Sequence, residues 1–260
     1  MRAALAASGH AVSEPSELTL LWRDERLVAV HKPAGWLVHR TGLDAHETRF
    51  VVQTLRDQLG QRVYPVHRLD KGTSGVLLMA LDSEAARLMA QAFEAREVDK
   101  RYVAFVRGWL PDAVQVDHPL KPDDAPADAL PQEAVTALRC LERVELAEAV
   151  EPRHPTTRVS LVEARPATGR RHQIRRHLKH LSHPIIGDAT HGKGLHNRWW
   201  AQRLGLQRLW LHAVELAFTH PFSGAGLRIE SPWREDPQWL HLLKSLQAEG
   251  EAGESHTLPD

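Results

Sequence analysis

Asp70 sits in the stretch VHRLDKGTSG (66–75), where His67, Arg68, Asp70 and Lys71 share ten positions with two glycines and the pair Thr73-Ser74. A carboxylate in such a turn has two possible uses. On the surface beside Arg68 it forms an ion pair of little energetic value. In a cleft, kept ionised by a cation, it can serve as a nucleophile or a base. The local residues leave that choice open. The second concentration of reactive types is GRRHQIRRHLKHLSH (169–183), with five Arg or Lys, four His and no acid. Ile174, Leu178 and Leu181 recur at helical spacing and predict a buried stripe. Arg171, Arg175 and Lys179 form one polar row, and His172, Arg176 and His180 another. Like charges four residues apart cost roughly a few tenths of a kcal/mol each. Arg170 and Arg171 are expected in the first turn, where they oppose the helix dipole. A phosphate backbone would offset these penalties, and a solvated basic face is the alternative.

Other chemistries find less support. His177, His180 and His183 are spaced by three but have no carboxylate or thiol beside them, and their Arg and Lys neighbours repel a cation. His46-Glu47 lacks the second histidine of H-E-x-x-H. No G-x-S-x-G marks a serine nucleophile, and Ser74 is read as satisfying backbone groups of its turn. Cys140 is the single cysteine, so no intrachain disulfide and no cysteine-based zinc site can form; it is expected in the core. No metal and no cofactor are expected.

The elements that must hold these residues read as one α/β (α+β) domain. The chain has 260 residues, 42% hydrophobic and 25% charged. Its longest apolar run, Val76 to Leu81, is too short to span a bilayer. Residues 1–16 hold one Arg and a short Ala/Leu patch, which does not make a signal peptide, and a cytoplasmic protein is expected. The 33 basic and 33 acidic residues cancel, yet their uneven distribution allows a basic groove. Residues 18–39 predict three strands separated by turns, about 47–59 a helix, and 64–81 two extended segments. Ser83 is expected to cap a helix reaching about Arg96, followed by a strand over 101–109. Five prolines fall in 111–134, so 111–157 is expected to be partly a loop insertion. A strand over 159–166, the basic helix, a loop to about Gly205 and a strand pair or one bent strand over 206–221 complete the domain, 17–247. Segments 1–16 and 248–260 are expected to be disordered.

HRLDKGTSG (67–75) resembles the signature H-R-L-D-x-x-T-S-G-L/V of the RluA-class pseudouridine synthases, with Val76 at the final position. HKPAGWLVH (31–39) is similar to that family's K-P-x-G-x-x-V-H segment, and KRYVAFVRG (100–108) to K-x-Y-x-A-x-V-x-G. TGRRHQIRRHLKHLSHPIIGDATHG (168–192) and LQRLWLHA (206–213) resemble its third and last motifs. Five segments in the right order cover nearly all of 31–222. GWLVHR, PTTR, HPIIGD and Asn197-Arg198 narrow the likeness to the branch that modifies uridine 65 of bacterial tRNA. Relatives acting on large ribosomal RNA often carry an N-terminal RNA-binding domain; with roughly 16 residues before the first strand, no such domain is expected here.

The resemblance implies a pseudouridine synthase fold, with a mixed and mainly antiparallel central sheet flanked by helices and loops. It implies an enzyme that breaks the N1–C1′ bond of a uridine in RNA, turns the uracil and rejoins it through C5, without cofactor or metal. Asp70 matches the catalytic aspartate, as nucleophile at C1′ or base at C2′. Tyr102 matches the tyrosine that stacks on the flipped base and can help remove the C5 proton. Arg175 matches the arginine that pairs with the aspartate. Arg68 would fill the space left by the flipped base. Leu211 would pack on the base or serve as ordinary core, and His67, Thr73, Ser74 and Gly75 would build the turn. Arg171 and Lys179 are expected on backbone phosphates. The expected partner of this monomer is tRNA, with ribosomal RNA as the alternative. A catalytically silent RNA-binding protein is a further reading, against which the intact Asp70, Tyr102 and Arg175 argue.

Overall fold

A computed structural model describes residues 17–39, 49–122, 125–126 and 128–254. Its strands are β1 (Leu20–Arg23), β2 (Leu27–Lys32), β3 (Tyr64–Pro65), β4 (Ser74–Ala80), β5 (Asp99–Arg107), β6 (Ala113–Asp117), β7 (Val135–Leu146), β8 (Thr157–Pro166), β9 (Leu211–Thr219) and β10 (Gly226–Glu230). The helices are α1 (Val51–Leu59), α2 (Ser83–Glu94), α3 (Gln173–His180), α4 (Gly194–Leu204) and α5 (Pro237–Glu254). The strands form one sheet in the order β1-β2-β4-β9-β5-β8-β7-β6, with β3 pairing on β4 and β10 on β9. The pairings are antiparallel except for β4 with β9.

The middle of the sheet is buried on both faces, because β2 and β4 are apolar at every second position on either side. Val28, Val30, Leu77 and Met79 pack with Val51 and Leu55 of α1. Leu27, Ala29, Val76, Leu78 and Ala80 pack with Ala85 and Met89 of α2. Around β5, β8 and β9 a third cluster gathers Ile174 and Leu178 of α3 with Trp200, Trp210, Trp233 and Trp239.

The short parallel contact at the centre places the chemistry. Ser74 and Gly75 pair with His212 and Ala213, while Tyr102 of β5 pairs with Ala213 from the other side. The turn that carries Asp70 and the strand that carries Tyr102 therefore flank one strand. Only glycine fits at position 75: its φ is +112°, and a Cβ there would lie 2.1 Å from the carbonyl oxygen of Ala213.

Several elements differ from the sequence-based expectation. The third strand before residue 39 reduces to a single bridge between Leu37 and Phe50, because the Pro33–Gly35 turn redirects the chain. Helix α1 starts at Val51, and most of the approach to it, including His46-Glu47, lies outside the described residues. Asp82, not Ser83, caps α2: its Oδ1 accepts the amides of Glu84 and Ala85. Two strands, β6 and β7, occupy much of 111–157, with four of the five prolines falling between them. The expected loop before Gly205 contains α4, which Gly205 ends in the left-handed conformation. Residues 206–221 hold one strand, β9, that begins at Leu211. Helix α5 continues to Glu254, into the segment expected to be disordered; 1–16 and 255–260 lie outside the described residues. Cys140 is half-buried on β7 beside a bulge, its thiol donating to the Glu142 carbonyl, and is not core. Among the described residues no helix is long and apolar enough to cross a membrane.

Candidate active site

The Asp70 turn is held from below by a lysine. Lys32 is fully buried, and its ammonium donates to the carbonyls of Pro33 (3.0 Å), Lys71 (3.0 Å) and Thr73 (2.7 Å). Burial pulls its pKa down to about 7, against the raising effect of the Asp70 charge. The turn closes through Thr73 N–H to Asp70 O at 3.0 Å, and Gly35 N–H reaches Lys71 O at 2.8 Å. Behind it, the Ser74 hydroxyl meets His212 Nδ1 (2.8 Å) and accepts from Arg208 Nη2 (2.7 Å). His67 accepts the Leu78 amide on Nε2 and stacks on Phe93. Burial lowers its pKa to about 3, so the imidazole is neutral and structural. Thr73, Ser74, Gly75 and His67 thus frame the turn, as expected.

Asp70 itself meets α3. Its Oδ2 accepts from Arg175 Nη1 at 3.0 Å, with His172 Nε2 at 3.8 Å. No hydrogen bond to its Oδ1 occurs among the described residues. The Asp70 side chain keeps 22% exposure, against 9% for Arg175. Arg175 is held on its far side by Asp188, whose carboxylate accepts Nε and Nη2, each at 2.8 Å. Asp188 is 1% exposed and also accepts the amides of Thr190 and His191. Burial alone would lower the Arg175 pKa, yet the two carboxylates raise it above the ordinary value. Burial would likewise raise the Asp188 pKa, but Arg175 and the two amides carry it below the carboxylate range. Asn197 fixes the Asp188 segment by accepting from Gly187 N–H and donating to Asp188 O, 2.8 and 2.9 Å.

The entry to α3 differs from the expected first turn. Arg170 and Arg171 precede the helix, and His172 caps it at φ 56°, in the left-handed region. Gln173 ties this irregular entry down: its Oε1 accepts from Thr168 Oγ1 and Arg170 N, and its Nε2 donates to Val135 O and Thr136 Oγ1. His177 is buried against Thr136 Oγ1 and the His118 carbonyl, His180 stacks on His118, and His183 contacts the Arg107 carbonyl. Among the described residues no group of His, Cys, Asp or Glu could hold a metal ion.

Two cavities, of about 630 and 690 Å³, meet at Asp70 and share Arg68, Leu69, Arg171, His172 and Arg175 as walls. Each is large enough for a nucleotide. The first also contains Tyr102, Ile174 and Leu211. Burial, and then the Asp70 charge, hold the Tyr102 hydroxyl far above its usual pKa, so it stays a phenol able to stack and donate but poorly suited to act as an anionic base. Leu211 is both core and cavity wall. Arg68 is exposed at the shared rim and makes no ion pair with Asp70 among the described residues. Arg171 is exposed on the same rim, whereas Lys179 is exposed on α3 outside both cavities. The structure therefore gathers Asp70, Tyr102, Arg175, Arg68, Leu211 and Arg171, and leaves Lys179 apart. Sequence reasoning assigned no role to Lys32, Asp188, Gln173 or Asn197, although the first three lie inside the matched motifs.

A ten-stranded, mainly antiparallel sheet with an arginine-held aspartate at its central break defines a class, and a family model agrees. The model for RNA pseudouridylate synthase matches residues 26–180, and the chain belongs to that family. Among curated proteins it is similar to tRNA pseudouridine synthase C of Pasteurella multocida, 51% identical over 87% of this chain and 95% of the relative. The Vibrio cholerae protein of the same name is 50% identical over 88% of this chain and 96% of its own length. Among solved structures, human RNA pseudouridylate synthase domain containing 1 superposes with a TM-score of 0.68 at 26% identity, covering 95% of this chain and all of that one.

Removing Asp188 would leave the buried Arg175 with its Nε and Nη2 donors unpaired and a single hydrogen bond to Asp70. Asp188→Ala is expected to cost about 3–5 kcal/mol of stability, read by denaturant unfolding. A loss below about 1 kcal/mol, the scale of a surface pair, would contradict the buried bridge.

Proposed function

We propose that this chain converts uridine to pseudouridine in tRNA, at uridine 65, with Asp70 as the catalytic carboxylate. The observation that carries the reading is the Asp70–Arg175–Asp188 bridge at the junction of two nucleotide-sized cavities. The half-identical relatives named as tRNA pseudouridine synthases supply the substrate class.

Arg175 occupies Oδ2 of Asp70 with one hydrogen bond, which leaves Oδ1 for chemistry. That oxygen attacks C1′ or removes the C2′ proton; in either route the N1–C1′ electron pair departs with the uracil ring. Tyr102 and Leu211 line the cavity on the side where the detached base must turn. A uridine in a duplex must first be flipped out to reach them, and Arg68 at the rim is placed to occupy the gap. No group in this scheme requires a metal or a cofactor.

Asp70→Asn is expected to abolish isomerisation, measured by tritium release from C5-labelled RNA, with RNA affinity within about threefold of the parent. Normal turnover would remove Asp70 from the chemistry. In RNA from a deletion strain, carbodiimide-dependent primer extension should lose one stop, at position 65 of tRNA; loss of a ribosomal RNA stop instead would reassign the substrate.

The basic rim gives a separate outcome. Arg171→Ala should weaken binding across RNA sequences and lower the salt slope of log K by about 1. Lys179→Ala is the companion test of the exposed α3 face. An unchanged slope in either variant would place that residue off the phosphate backbone.

A further inference from the structure

Lys100 lies two residues before Tyr102 on β5, so both side chains leave the same face of the sheet, and both line the 630 Å³ cavity. Their Cα atoms are separated by roughly 6.7 Å, two strand steps and about the width of a pyrimidine. The Asp70 charge acts on Tyr102, whereas the charges that act on Lys100 are those of Asp99 and Arg96. Tyr102 pairs with Ala213, which also pairs with Gly75 behind the Asp70 turn, whereas Lys100 pairs further along β9 with Leu216, so the order away from the turn is Asp70, Tyr102, Lys100. The Lys100 ammonium is half-buried, and its hydrogen bond among the described residues is a long one, 3.3 Å to the Thr168 carbonyl. No ion pair holds it among the described residues. An ammonium has three donors, so two remain for a ligand. A desolvated cation held without a carboxylate in a substrate cavity has its natural partner in an anion that forms there.

We propose that Lys100 is a catalytic residue that donates to the uracil carbonyl remote from C1′ and stabilises the uracil anion released on bond cleavage. The inference rests on the reading of Asp70 as the group acting at the ribose. When N1–C1′ breaks, the electron pair stays on the ring and spreads from N1 onto O2 and O4. The ribose is meanwhile held by a bond from C1′ to the Asp70 carboxylate, or has given its C2′ proton to it. After the ring turns, the C5 pair forms the new bond to C1′, and Asp70 leaves C1′ or returns the proton to C2′. C5 then loses its proton and N1 gains one. Lys100 keeps its protons throughout and contributes charge alone, so the sequence remains a redox-neutral isomerisation. Tyr102, held as a phenol between them, covers the face of the ring while Lys100 addresses its edge.

The test compares RNA containing uridine with the same RNA containing 5-fluorouridine, whose ring is the more stable anion and needs less help to leave. Loss of the starting nucleoside is followed in single turnovers at saturating enzyme, by nuclease digestion and mass spectrometry. Lys100→Met is expected to slow cleavage of the uridine RNA about 100-fold, to change RNA affinity less than about threefold, and to show a defect roughly tenfold smaller on the fluorinated RNA. Lys100→Arg should recover most of the rate. Lys100→Gln, which can still donate to the Thr168 carbonyl, carries the same comparison if the methionine variant does not fold. Equal defects on the two RNAs would overturn the proposal, as would a defect confined to affinity, which would make Lys100 a phosphate contact or a prop for Thr168. Failure of the parent enzyme to cleave either RNA would instead strike the reading of Asp70.

Discussion

Arg175 is the constraint on which the rest of the site depends. One guanidinium spans two carboxylates, gripping Asp188 with two hydrogen bonds and Asp70 with one. The asymmetry has chemical meaning. Asp188 is sealed, doubly bound by Arg175 and capped by backbone amides, so it acts as a fixed anchor. Asp70 is held through one oxygen and stays partly open. A buried arginine bound to Asp70 alone would be pulled toward the substrate and be costly to desolvate. The second carboxylate fixes its direction and balances its charge.

That bridge can form only because the sheet brings distant segments to one place. The Asp70 turn precedes β4, Tyr102 lies on β5, and β9 runs between them with Gly75 in close contact. Helix α3 is set by Gln173 and by the left-handed cap at His172, which turn Arg175 inward while Arg171 stays at the rim. Lys32 fastens the turn by three carbonyls, a device suited to a loop that must not move when a charged backbone docks against it. The cleft thus has a rigid floor and a basic edge, which is how a chain of zero net charge can present itself to RNA.

Much of this was legible in the sequence, for reasons that differ by residue. Asp70, Tyr102 and Arg175 stand in motifs whose spacing is dense enough to compare, and the alternation of β4 announces a strand buried on both faces. The Ile174–Leu178 stripe correctly set the buried face of α3. Asp188 was not legible as the partner of Arg175, because a single acid beyond the helix carries no periodic signal and the pairing exists only in three dimensions. Lys32 was hidden differently: a lysine in a Pro-Gly turn reads as solvated, and its burial follows from the carbonyls that converge on it. The helix before Gly205 and the strands within 111–157 were not legible because tryptophan packing and edge pairing override weak local propensity, whereas the proline-rich stretch between β6 and β7 is largely irregular, as its composition predicts. Cys140 was placed in the core on residue type, whereas the bulge beside it turns that part of β7 outward.

The central claim is that Arg175 serves catalysis through Asp70, apart from its structural pairing with Asp188. The most direct measurement is the single-turnover rate and unfolding free energy of Arg175→Met beside those of Arg175→Met/Asp188→Asn. Removing the arginine alone strands a buried anion, and neutralising that anion should restore much of the lost stability. The account predicts that stability returns in the double variant while the isomerisation rate stays depressed by about 100-fold or more. A rate that recovers together with stability would show that Arg175 acts only as a strut, and would contradict the claim.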